Sequence, residues 1–284
     1  MARTRGLFTM IALTGVVLAG CGAGTTPVPR TYDSARALIE SVAGHSGTGS
    51  GPGAPVHYRD TGFGALVYNP GTPNAFTAYV TATRDVTVQP SSAASVRVIS
   101  AGTPEFGTAT DRAHWQAAGR PALDSGLATG QVMADPAGQF SFLPQVKALT
   151  YQQAAALPTT PAGVLAVVRA DSTSSPDVAP PATLLLRQFG FLLAIAPLSP
   201  AGRSAAWRAL LLVPGVRLCG TATDLAGRTG QGLCADGDGY EVEMLVDPAA
   251  GAMLEVRKSL TQRSVMYPGA APGKVVEVDT FLPG

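Results

Sequence analysis

The spacing of hydrophobic positions changes several times along the chain, and each change marks an element. Leu7 to Ala19 is an uncharged, mostly apolar run. Ala35, Leu38, Ile39 and Val42 recur at i, i+3, i+4 and i+7, which predicts a helix over 32–43. His45 to Pro55 is rich in Gly, Ser and Pro and reads as a loop. From Val56 the period falls to two. Strands are predicted at 56–59, 65–68, 75–88 and 94–99, parted by Asn69-Pro70-Gly71 and Gln89-Pro90, and they form an antiparallel meander. A short strand is expected around Trp115 and another over 139–143.

The middle of the chain is helical. Tyr151 to Ala156 forms one turn or more, and Leu157-Pro158-Thr159-Thr160-Pro161 ends it and starts the next helix. Thr160 suits the cap and Pro161 the first helical position. After the Pro-rich loop 171–181, Ala182 to Ala196 is strongly apolar. Arg187 and Gln188 interrupt it and Pro197 ends it, short of the about 20 residues a bilayer requires, so it reads as a core helix. Ser199-Pro200 opens a further helix that stops at Pro214-Gly215. A second meander follows, with strands at 216–223, 231–235, 240–247, 252–260 and 274–281. The expected fold is α+β: a curved, mostly antiparallel sheet with helices on one face. Such a sheet can enclose a ligand cavity.

Charge and small residues around the first apolar run give it a meaning. Arg3 and Arg5 precede it, and Leu18-Ala19-Gly20-Cys21 follows it. This is the layout of a secretory signal, and a cysteine placed directly after the small residues is what a lipoprotein signal requires. Residues 1–20 are expected to be a signal peptide, with Cys21 the lipid-modified first residue of the mature chain; the alternative is a plain secretory signal with a chance cysteine. Residues 21–30 then form a short linker, which reaches at most about 30 Å, and 31–284 a single extracytoplasmic domain. Without Arg3 and Arg5, Lys+Arg falls from 20 to 18 against 19 Asp+Glu. That balance argues against a nucleic-acid partner and supplies no polybasic help at a membrane.

Cys219 and Cys234 remain, an even pair suited to an oxidising compartment. The midpoint between them falls at Ala226-Gly227, so a symmetric hairpin places them opposite each other within disulfide reach. The alternative is two buried free thiols. Their spacing is neither C-x-x-C nor that of a zinc ribbon.

Other candidate chemistry is sparse. His45, His57 and His114 do not share metal spacing with one another, with Cys or with a carboxylate, and His57 and His114 are expected on strands. Gly44-His45-Ser46-Gly47 lacks the second glycine and the strand–helix setting of a nucleophile elbow. Asp236-Gly237-Asp238-Gly239 with Glu241 lacks ligands of a calcium loop and reads as a hairpin turn. Glu241 and Glu243 alternate along one strand and so share a face.

Pro214-Gly215-Val216, Asp224 with Ala226-Gly227-Arg228 and Gly230, and Asp247-Pro248 with Gly251 and Leu254 resemble an actinobacterial family of uncharacterised, membrane-anchored extracytoplasmic proteins. Leu157-Pro158-Thr159-Thr160-Pro161, the helix at 32–43 and the stretch around Trp115 fit the same family. The resemblance implies no catalytic residues. Many relatives carry a transmembrane helix and are encoded near sigma factors, which implies envelope sensing. It also suggests, by analogy of fold alone, a half-barrel of the lipoprotein-carrier type.

Three functions are weighed: a non-catalytic binding module for a lipid or envelope component, an accessory regulator or sensor acting on a membrane-spanning partner, and a hydrolase. The first is favoured, with no cofactor and no metal, at the outer face of the cell membrane. One acyl chain anchors only marginally, so two or more on Cys21 must hold the domain. Cys21→Ala is therefore expected to fold normally yet leave the membrane fraction or remain unprocessed. A processed Cys21→Ala protein still in that fraction would contradict the anchor.

Overall fold

Among the described residues, ten strands form one sheet in which every pairing is antiparallel. The computed structural model describes residues 32–45, 53–69, 72–121, 123, 132–135, 149–172, 180–264, 267 and 270–282. The predicted signal peptide, Cys21, the linker and the predicted strand at 139–143 lie outside these. In chain order the elements are α1 (Ala35–Gly44), β1 (Val56–Tyr68), β2 (Phe76–Val88), β3 (Ala94–Ala101), β4 (Glu105–Phe106), α2 (Ala109–Ala117) and β5 (Val132–Asp135). Then come α3 (Tyr151–Ala155), α4 (Pro161–Ser172), α5 (Ala182–Ile195), α6 (Pro200–Ala209), β6 (Arg217–Thr223), β7 (Thr229–Gly237), β8 (Tyr240–Asp247), β9 (Ala252–Leu260) and β10 (Val275–Leu282). The sheet order is β5-β3-β2-β1-β10-β9-β8-β7-β6, with β4 beside β2. The two meanders thus join through β1 and β10 into one open, curved sheet, and the fold is α+β.

Helix α5 lies on β7, β8 and β9, and α4 and α6 pack behind it. Its contact with the sheet depends on Gly190. A Cβ there would overlap Val256 Cγ2 and stand 3.5 Å from Met244 Cγ. Adding even a methyl to so full a space costs about 1–3 kcal/mol. Leu186, Phe189, Leu192 and Leu193 of α5 join Trp207, Leu233, Met244 and Val256 in the main core. Gln188 is fully buried in this helix, and neither amide atom has a hydrogen-bond partner among the described residues. Such a group costs roughly 1–3 kcal/mol, so the packing around α5 carries a polar burden. No helix among the described residues is long and apolar enough to cross a membrane.

Helix starts follow the sequence signals. Ser34 and Ser199 accept from Ala37 N and Gly202 N, and Thr150 with Gln153 completes a capping box before α3. Two expectations need correction. The residues around Trp115, His114 among them, form α2 and not a strand: Thr108 caps the helix by accepting from Asp111 N at 3.0 Å and donates its hydroxyl to Asp111 Oδ2 at 2.6 Å. The predicted strands at 56–59 and 65–68 are one continuous strand, because β2 and β10 pair with β1 across Asp60 to Gly64.

Candidate functional site

The helix-covered face of the sheet changes from apolar to charged as it passes from β8 toward β1. Phe281 of β10 meets Phe191 of α5 edge-on at 5.6 Å, which fixes the odd positions of β10 on this inner face. Val256 pairs with Asp279 and Lys258 with Glu277; on the other side of β10, Asp60 faces Phe281, Gly62 faces Asp279 and Gly64 faces Glu277. Asp60 in turn faces Arg84 of β2. Alternation along each strand therefore gathers Asp60, Arg84, Lys258, Glu277 and Asp279 on one surface. The glycines leave them room: a Cβ on Gly62 would stand 3.3 Å from Arg84 Nη2 and 3.4 Å from Asp279 Oδ1.

Arg84 donates through Nε to Asp60 Oδ2 at 3.1 Å, and its Nη2 lies 3.7 Å from Asp279 Oδ1. One guanidinium thus serves two carboxyls. Burial raises the Asp60 carboxyl above its usual range, against the opposing pull of Arg84. Burial pushes Asp279 up to about 7; Glu277 and Asp60 add to the rise, while Arg187 and Arg84 oppose it. Arg187 of α5 binds Glu277 and lies 5.2 Å over the Phe191 ring.

Beside this row the first turn of α5 leaves a half-open pocket of about 270 Å³, lined by Pro181, Thr183, Leu184, Arg187, Asp238, Tyr240, Val242, Lys258 and Glu277. Pro181 occupies the cap of α5 and makes no side-chain cap bond. The Lys258 ammonium sits 3.9 Å from the centroid of the Tyr240 ring. Tyr240 also meets Tyr267 edge-on at 6.2 Å. Burial holds the Lys258 ammonium below its ordinary value, partly offset by Glu277. Asp238 stands exposed at the β7–β8 turn, where Asp238 and Gly239 both have positive φ (53° and 82°).

The residues singled out from sequence lie elsewhere. A disulfide joins Cys219 and Cys234, with Cα atoms 5.9 Å apart. The hairpin is not the symmetric one expected: Cys234 faces Arg217, and Cys219 is the extra residue of a bulge ahead of Gly220, whose φ is 94°. The bulge turns Cys219 to the outer face, toward Cys234. Glu243 brings a carboxylate oxygen within 4.8 Å of both sulfurs, but those sulfurs are bonded to each other and Arg257 lies 3.5 Å from Glu243. Glu241 pairs with Arg217 on the same outer face, and Asp236 joins them at 2.9 Å. Ring nitrogens of the three histidines make separate local contacts: His45 with Ser41 O, His57 with Thr87 Oγ1 and His114 with Ala75 O. Sequence reading missed the inner-face site. Its visible traces were Arg187 inside an apolar helix and the alternation of Glu277 with Asp279, the same kind of signal as Glu241 with Glu243.

No family model matches the chain, and no curated protein matches it. Among solved structures, a chain in the Pseudomonas aeruginosa MucA/MucB complex is 14% identical over 87% of this chain and 55% of that one, with a TM-score of 0.24. A chain from a crystal structure of MucB in complex with MucA(peri) is 15% identical over 87% and 53%, with a TM-score of 0.23. This chain spans about half the length of those it matches, and at these scores the similarity assigns neither fold nor partner.

The raised Asp279 carboxyl fixes a pH dependence. Between the unfolded value of about 4 and the folded value of about 7, the folded chain keeps a proton that the unfolded chain releases. Its contribution to stability is therefore full below that window and lost as pH rises through it, by at most about 4 kcal/mol. Asp279→Asn, which mimics the protonated carboxyl, should be more stable than wild type at about pH 8, with the gap narrowing steadily to near zero at about pH 4 in urea denaturation. A wild-type-to-variant gap that stays constant with pH would contradict this.

Proposed function

We propose that this chain is a non-catalytic binding module of the cell envelope, held at the outer membrane face through lipid on Cys21, and that it grips its ligand in the pocket at the head of α5. The observation that carries this reading is the pocket itself: a half-open recess where apolar Leu184 and Val242, aromatic Tyr240 and charged Arg187, Lys258 and Glu277 converge.

Size narrows the ligand. A volume of about 270 Å³ falls at the small end of ligand pockets, which run from roughly 300 to 1,000 Å³. It suits a head group or a small polar molecule better than a whole diacyl lipid. The close seat of α5 on Val256 and Met244 supports the same restriction, because the inner face over β8 and β9 is already filled. An accessory regulator would use the same pocket to hold a group presented by a membrane-spanning partner. Kinship with the actinobacterial envelope family is part of this proposal. It is supported by where the shared residues fall: Asp224 accepts from Arg228 in the β6–β7 turn, and Gly251 closes the β8–β9 turn with positive φ.

The test is mass spectrometry of material released from the full-length protein purified from its own membranes. Wild type should release one component at near one-to-one stoichiometry, and Leu184→Trp, which fills the pocket, should release little of it. Equal recovery from both, or none from wild type, would contradict the proposal. A small molecule favours the binding module; a protein that associates only with the unblocked pocket favours the regulator.

A further inference from the structure

We infer that this pocket is an oxyanion site: Lys258 takes a phosphate-type group, and Leu184, Val242 and Tyr240 take the short organic stem attached to it. The inference rests on the pocket being the binding site and names the chemistry of its ligand.

Charge pairing inside the recess is incomplete. Arg187 and Glu277 satisfy one another. Lys258, the cross-strand neighbour of Glu277, is half-buried, and its ammonium has neither an ion pair within 4 Å nor a hydrogen bond among the described residues. Its ammonium rests on the Tyr240 ring, and Glu277, already paired with Arg187, offsets its burial only in part. A half-buried cation whose cross-strand carboxylate is committed to another cation lacks much of the compensation it would find with a counter-charge of its own. An incoming oxyanion supplies that charge and three or more acceptors for the three ammonium protons.

The opposite ligand, an organic cation on the Tyr240 face, would first have to displace Lys258 from that position. Two carboxylates line the recess: Glu277 is neutralised by Arg187, and Asp238 stands at the exposed rim, where solvent and salt screen it. The shared chemistry is a phosphate monoester, whether free or on a lipid head group.

Isothermal titration of the full-length protein in a non-ionic detergent tests this with three probes: inorganic phosphate, glycerol 3-phosphate, and micelles carrying phosphatidic acid in place of phosphatidylcholine. Saturable binding is expected for at least one phosphate probe and none for phosphatidylcholine. Binding of glycerol 3-phosphate but not phosphatidic acid identifies a soluble ligand, and the reverse identifies a head group. Lys258→Gln should weaken binding by about ten- to a hundredfold. Lys258→Arg should restore part of it, Asp238→Asn should strengthen it severalfold, and Lys274→Gln, on the Tyr79 and Phe63 rings at another position, should leave it unchanged. Circular dichroism confirms that each variant is folded. No saturable binding by any phosphate probe, or full-strength binding by a folded Lys258→Gln, would overturn the inference. If the oxyanion fails while a component still co-purifies through the Leu184 wall, the binding module survives and only its ligand chemistry is wrong.

Discussion

Helix α5 reaches the sheet at Gly190, where Val256 and Met244 fill the space a side chain would need. Much of the interior follows from that contact. With no Cβ between them, helix and sheet approach closely enough to bury Phe189, Leu192 and Met244 completely, and α4 and α6 then cover the helix from behind. A helix enclosed on all sides must be apolar around its whole circumference, which is why its sequence looks almost like a membrane segment. Its first turn opens onto the pocket.

The charged row across β1, β2, β9 and β10 is the second consequence. Past the seat of the helix the inner face carries Asp60, Arg84, Glu277 and Asp279, tied to one another and to Arg187 by ion pairs. Buried carboxyls that share too few cations become weaker acids, as Asp279 shows. On the outer face a similar set of charges is fully matched. Glu255 accepts from Leu225 N at 2.8 Å, Thr280 Oγ1 at 2.6 Å and Arg257 Nε at 2.7 Å, and Arg228 reaches Asp224 and the carbonyls of Leu254 and Phe281. That clasp is structural: it fastens the β6–β7 turn to β9 and β10. The turn motif on which the family resemblance rests therefore has a physical reason that involves no chemistry.

Local signals carried most of the element list. Thr160-Pro161 and Ser199-Pro200 did open helices, and the C-terminal strands fell within a few residues of their expected bounds. What the sequence hid was long-range. Gly62 and Gly64 look like a break in a strand until β10 is seen to pair with them. Thr108 and Asp111 held a capping signal that the aromatic and polar residues around Trp115 obscured. The bulge at Cys219 could not be read from spacing, because one inserted residue shifts register without altering composition. The pocket was illegible for the same reason: Arg187, Lys258 and Glu277 stand far apart in sequence and meet only through the β9–β10 register and the seat of α5.

In the proposed site α5 stays fixed on the sheet and ligand enters beside its first turn, not beneath it. A cysteine at 190 would place its Cβ 3.6 Å from the Cβ of residue 256, within disulfide range. The Gly190→Cys, Val256→Cys double variant, oxidised to lock α5 to β9, should form the cross-link and bind glycerol 3-phosphate or phosphatidic acid as the wild type does. Loss of that binding on locking, with Gly190→Cys and Val256→Cys singly still competent, would mean that α5 must move to admit the ligand, and the account would be wrong.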